Sequence, residues 1–146
     1  MPKILDVWIL NEKGEAVFSY NHPASDTGEI DSGLYSDLVM SIQSFSKHLG
    51  EKAVERIEMG DAKIFILKNN ETNLLFIVKG AQEANNKKVE KFLRKIQEVF
   101  LQNFKADLEK YDLTHLRVIC KIFKTYVDKL LEEIIKKRMS SFLDSM

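Results

Sequence analysis

The stretch Ile64-Phe65-Ile66-Leu67-Lys68-Asn69-Asn70-Glu71-Thr72-Asn73-Leu74-Leu75-Phe76-Ile77-Val78 decides the fold. Two apolar runs flank a short polar loop, the pattern of neighbouring strands joined as a hairpin. The run Leu74 to Val78 is apolar at every position, so it is buried on both faces. Such a strand belongs in the middle of a sheet, with helices on each side of it.

Upstream, Gly60-Asp61 forms a short turn into Lys63 to Lys68. Before it, Ala53 to Met59 reads as a half-exposed strand with Glu55, Arg56 and Glu58 among its apolar positions. Charges of that kind protect a sheet edge from uncontrolled pairing. Nearer the start, Lys3 to Leu10 is dense in large apolar residues, and Ala16 to Tyr20 alternates with a period of two. Between them lies Glu12-Lys13-Gly14, where Gly14 supplies the positive φ of a tight turn. Asn21 to Gly33, with His22-Pro23, Asp26, Gly28, Asp31 and Gly33, is the longest loop. Leu34, Leu38, Ile42, Phe45 and Leu49 then form an amphipathic helical stripe, with Ser32 to cap it and Gly50 to end it.

Two helices follow the central hairpin. Val89, Phe92, Leu93, Ile96, Val99, Phe100 and Phe104 define one, with Asn85 or Asn86 near its start. Leu116, Ile119, Cys120, Phe123, Val127, Leu130, Leu131 and Ile134 define the next, with Thr114 as the expected N-cap after Asp112. The element order is β-β-α-β-β-β-α-α. Short turns make the consecutive strand pairs antiparallel. The expected fold is α/β (α+β), a five-stranded and mainly antiparallel sheet with one helix on one face and two on the other. The most apolar strands, the first and fifth, take the centre, leaving the second and third as edges. With no repeat or linker in sight, residues 1–146 read as a single domain.

Composition narrows the function classes. Hydrophobic residues at 45% and charged residues at 30% describe a globular chain. Twenty-two basic and twenty-two acidic residues cancel, so no global field favours nucleic acid. The one cysteine, Cys120, excludes an internal disulfide and suits a reducing cytosol. No apolar stretch near the start has the length of a signal peptide or a membrane span, so a cytoplasmic protein is expected.

Local phrases across most of the chain resemble the longin domain of the roadblock/longin-like superfamily. They are Ile4-Leu5-Asp6-Val7-Trp8-Ile9-Leu10-Asn11-Glu12-Lys13-Gly14 followed by Ala16-Val17-Phe18, then Leu34-Tyr35-Ser36-Asp37-Leu38 through Ile42-Gln43-Ser44-Phe45-Ser46. Glu55-Arg56-Ile57-Glu58-Met59-Gly60-Asp61 and Leu74-Leu75-Phe76-Ile77-Val78 complete them. The chain is most similar to small archaeal longin-like proteins. The resemblance implies a non-catalytic protein-interaction module, a platform for small-GTPase-linked or membrane-trafficking complexes. Its implied partners are a small GTPase, another longin or roadblock domain, or a second copy as a homodimer. No heptad coiled coil of the longin SNARE kind follows the last helix, and no GxxxxGK[ST] motif makes the chain a P-loop GTPase itself. The runner-up is a small-ligand sensor of the profilin, GAF or PAS type, with a pocket between sheet and helices.

Chemistry-bearing residues have bland readings. His22, His48 and His115 lack ligand spacing and read as surface histidines. Cys120 sits on an apolar stripe and reads as a core thiol. Asp26, Glu29 and Asp31 lack the ordered spacing of a calcium loop. Asn70-Glu71-Thr72 matches a glycosylation acceptor but reads as a hairpin turn. No GxSxG, HExxH or glycine-rich phosphate loop occurs. No enzyme, metal or cofactor is expected.

The candidate sites are therefore interfaces. Opposite the stripe of the 34–49 helix lie Ser36, Met40, Gln43 and Lys47, a surface a partner covers without burying much charge. Glu55, Arg56 and Glu58 mark the third strand as a second contact. At the C-terminus, Lys136-Lys137-Arg138 is flanked by Ile134, Ile135, Met139, Phe142 and Leu143, an end suited to peripheral contact with an anionic membrane. Cations placed against a helix dipole are the simpler explanation. The pattern from Leu116 to Leu143 supports a helix of roughly 42 Å. It must break near Ser140-Ser141 or project beyond the sheet.

Overall fold

The computed structural model describes residues 4–21, 54–60 and 62–144. Strands β1 (Ile4–Leu10), β2 (Ala16–Asn21), β3 (Val54–Met59), β4 (Ala62–Asn69) and β5 (Leu74–Ala81) form one sheet. Its order is β2-β1-β5-β4-β3, and every pairing is antiparallel. The expected edges are the edges. Burial explains the order: Val7, Ile9, Phe76 and Val78 are fully buried, and such strands must be covered on both faces and flanked on both sides.

Side chains close the β1–β2 and β4–β5 hairpins. Asn11 Oδ1 accepts from the backbone N–H groups of Lys13 (3.0 Å) and Glu15 (2.9 Å), while Gly14 takes φ +81°. Asn69 Oδ1 likewise accepts from the Thr72 N–H (2.9 Å) and hydroxyl (2.8 Å). Asn73 completes that loop in the left-handed region at φ +58°, which asparagine tolerates better than most residues.

The pleat sorts the apolar residues onto two faces. Val7, Ile9, Phe65, Leu67, Phe76 and Val78 point to the first. Trp8, Leu10, Ile64, Ile66, Leu75 and Ile77 form a separate buried cluster on the second. An irregularity in the β1–β2 register beside Leu10 lets Val17 join Phe18 and Tyr20 on the first face while Ala16 packs on the second. The described helices all contribute to the first-face cluster. The expected 34–49 helix, with Ser36, Met40, Gln43 and Lys47, lies outside the described residues.

Helix α1 (Asn86–Lys110) is capped by Asn85, whose side chain accepts from the Lys88 N–H at 3.1 Å. It packs on β4 and β5 through Val89, Phe92, Leu93, Ile96, Phe100 and Phe104, the stripe the spacing predicts. The next helix differs from expectation. It starts at Leu113, capped by Asp112 rather than Thr114, and is interrupted after Cys120, giving α2 (Leu113–Cys120) and α3 (Phe123–Asp144). Asp112 is the cap because its backbone is still extended (φ −74°, ψ 174°), and its carboxylate accepts from the His115 N–H at 2.9 Å. At the interruption, Lys121, Lys124 and Thr125 donate to carbonyls three residues back, at 3.4, 3.1 and 3.2 Å. The winding tightens there into a 3₁₀-like turn. Three helical segments therefore lie on the first face where two were expected.

Aromatic rings lock these layers together. Phe123, the first residue of α3, meets Phe18 edge-on at 5.2 Å, Phe100 at 5.3 Å and Phe104 at 5.9 Å, and stacks on Tyr126 at 5.5 Å. Phe76 meets Phe100 from the sheet at 5.8 Å. Edge-to-face pairs at such separations contribute about 0.5–1.5 kcal/mol beyond their buried area.

Candidate functional site

Strand β3 pairs with β4 alone among the described strands. Its three charged candidates do not form one patch. In register Arg56 lies opposite Phe65 and Glu58 opposite Lys63, which puts both on the helix-bearing face. Glu55 lies opposite Ile66, on the other face with Ile57. Arg56 Nε and Glu58 Oε1 are 3.9 Å apart with both side chains well exposed, a geometry that contributes little stability. The helix-bearing face of the edge thus carries Val54 beside the two charges, and the other face carries Glu55 beside Ile57.

Lys63, across from Glu58, turns inward. Its ammonium donates to the Ala84 carbonyl (2.8 Å) and to Asn86 Oδ1 (2.7 Å). A buried cation is satisfied by the segment that leads into α1. This ties the sheet edge region to the helix start.

The C-terminal candidates Ile135, Met139, Phe142 and Leu143 all fall within α3, which runs unbroken past Ser140-Ser141 to Asp144. Of the two alternatives, a break at those serines or a projecting end, the break does not occur. Winding changes instead at Lys121-Ile122, where the chain passes from α2 into α3 and Phe123 enters the aromatic cluster. Among the described side chains, Leu131 is the last buried one on this helix and Ile134 is half-buried.

The opposite edge holds a site the sequence reading missed. Among the described strands β2 pairs with β1 alone, and α2 packs beside it. Arg117 Nε donates to the Ala16 carbonyl at 2.8 Å. Between strand and helices runs a groove of about 580 Å³, lined by Ala16, Val17, Phe18, Ser19, Arg117, Lys121 and Lys124. The three cations recur at i, i+4 and i+7, one helical stripe. Beside them, Val118 and Ile122 are, among the described residues, the large apolar side chains most open to water, 64% and 71% exposed. That spacing was visible in the sequence, but the denser run Lys136-Lys137-Arg138 drew the attention.

Cys120 is buried, and burial first, then the Asp107 charge, push its thiol up to about 11. His115 lies in the first turn of α2, its Nδ1 2.6 Å from Oδ1 of the capping residue Asp112. The His115 backbone N–H, more than its ring, holds the Asp112 carboxyl below the usual carboxylate range. Among the described residues no His, Cys, Asp and Glu side chains gather as metal ligands. No described helix is long and apolar enough to cross a membrane. A small cleft of about 190 Å³, lined by Asn11, Val17, Thr72, Leu74, Leu108, Leu113 and Leu116, sits at the hairpin end of the sheet.

No protein-family model matches the chain, and no curated protein matches it. Solved structures do. Myxococcus xanthus MglB, a protein of roadblock/longin fold, aligns over 72% of this chain and 79% of its own with a TM-score of 0.51 at 14% identity. Identity that low speaks to fold alone. It supports a longin-like fold, an α+β arrangement with a five-stranded antiparallel sheet.

Proposed function

We propose that this chain is a non-catalytic protein-interaction module, a platform for small-GTPase-linked complexes, working through the edge of its sheet. The observation that supports it most is strand β3, six residues long and paired on one side alone among the described strands. An edge strand presents a row of backbone donors and acceptors that a partner strand completes, while side chains set specificity. Arg56 and Glu58 on one face, and Glu55 on the other, would select that partner. Ser36, Met40, Gln43 and Lys47 are proposed as a separate contact, and Ile135, Met139, Phe142 and Leu143 as another at the end of α3. The partner is a small GTPase, another longin or roadblock domain, or a second copy of this chain. Membrane contact would be peripheral. The resemblance to longin domains and the fold shared with MglB favour this over a sensor, and the rings of Phe18, Phe76, Phe100, Phe104 and Phe123 pack against one another between the sheet and the described helices.

Sedimentation velocity over a concentration series, and interferometry against small GTPases loaded with GDP or a GTP analogue, test this reading. Self-association or GTPase binding is expected, weakened by the double reversal of Arg56→Glu and Glu58→Lys. A chain that stays monomeric and binds none of them, or a double variant that associates as before, overturns it.

A further inference from the structure

The groove beside β2 has two walls of different chemistry. One is the outer edge of a strand that lacks a second partner among the described strands. The other is a cationic stripe, Arg117, Lys121 and Lys124, carried by α2, the tightened turn and the start of α3. Among the described residues, no carboxylate forms an ion pair with any of the three. Arg117 already reaches the strand, donating to the Ala16 carbonyl. Cations held beside an edge strand, with no ion-pair partner among the described residues, make a surface whose complement is both extended and acidic.

We infer that this groove binds an acidic, extended segment of a partner protein, added to the sheet as a strand beyond β2. Dimensions agree. The four groove-lining residues Ala16 to Ser19 span about 13 Å of strand, and the stripe from Arg117 to Lys124 rises about 10 Å. In an added strand, alternate side chains point to the same face about 7 Å apart. Acidic residues at i and i+2 therefore lie along the stripe, while backbone bonds to β2 supply register. Val118 and Ile122, next to the cations on the water side, give the segment's flank apolar surface to cover. A strand edge is of no use to a lipid surface or a nucleic acid, whereas an extended peptide completes it. That distinction favours a peptide over those other polyanions.

Fluorescence anisotropy with a short synthetic peptide alternating glutamate and valine, against its glutamine–valine counterpart, tests the inference. Vesicles containing phosphatidylserine form a parallel arm. The acidic peptide should bind, more weakly as salt rises, and the glutamine peptide should bind at least about tenfold more weakly. Lys121→Glu with Lys124→Glu should abolish binding, and the two arginine replacements should retain it, with thermal melts confirming the fold of each. Amides of Val17 to Ser19 should gain hydrogen-exchange protection in the complex. The Arg56→Glu and Glu58→Lys variant should bind the peptide unchanged, which separates this site from the β3 edge. Equal binding of both peptides, unaltered β2 exchange, or binding to vesicles without peptide overturns the proposal.

Discussion

The Tyr20 hydroxyl donates a 2.7 Å hydrogen bond to Asp128 Oδ1, fastening the edge strand β2 to helix α3. Burial, and after it the Asp128 bond and charge, push the phenol far above its ordinary value. The folded chain thus favours the protonated phenol, and that contribution is full below about pH 10, the unfolded value. It is lost as pH rises through the higher folded value. Tyr20→Phe should cost about 1–2 kcal/mol at neutral pH and reduce the steepness of alkaline destabilisation. Urea melts at neutral pH and above pH 10 check both, and a variant with an unchanged alkaline slope would show that Tyr20 does not carry it.

Phe123 sits where strand β2, α1 and α3 meet, in ring contact with Phe18, Phe100, Phe104 and Tyr126. Phe123→Ala should therefore cost about 3–5 kcal/mol, with transfer and cavity contributions together. The exposed neighbour Ile122→Ala should stay within about 0.5 kcal/mol. Chemical denaturation measures the contrast. Similar losses at the two positions would mean that the turn, not the ring cluster, joins the helices.

Lys63 anchors the start of α1 through the Ala84 carbonyl and Asn86 Oδ1. Lys63→Met keeps the stem but removes both donors, leaving polar atoms without their partner at a cost of about 1–3 kcal/mol. Amides in the first turn, such as Lys88 and Val89, should exchange faster than those near Phe100. Uniform exchange along α1 would contradict a local anchor.

The strand order was legible because central strands must be apolar on both faces, and β1 and β5 are. The α1 stripe was legible for the same reason, down to Phe104. The interruption at Lys121-Ile122 was not. Neither glycine nor proline marks it, and Leu116, Cys120, Phe123, Val127 and Leu131 keep an unbroken helical spacing through a turn that tightens by one residue. The separation of Glu55 from Arg56 and Glu58 follows from the period of two and needed no coordinates. The groove did need them: nothing in the sequence says that Arg117, Lys121 and Lys124 dock beside Ala16 rather than face open water.

The end of α3 gives the last prediction. The helix has 22 residues, about 33 Å at 1.5 Å per residue. The strands beneath it have six to eight, about 20–27 Å. Phe123 starts the helix inside the aromatic cluster, and Leu131 is its last described buried side chain. The helix is longer than the strands, so the segment after Lys136 is proposed as the part that the sheet does not need for stability. Truncation there removes Lys137, Arg138, Met139, Phe142 and Leu143, so denaturant melts should shift by less than about 1 kcal/mol while association weakens. The partner class then shows in the salt response. Loss of vesicle binding that salt also suppresses points to the cations, each contributing about 1 kcal/mol near an anionic surface. Loss of self-association at any salt points to the apolar residues. Unfolding on truncation makes the tail part of the core and removes it from the interface.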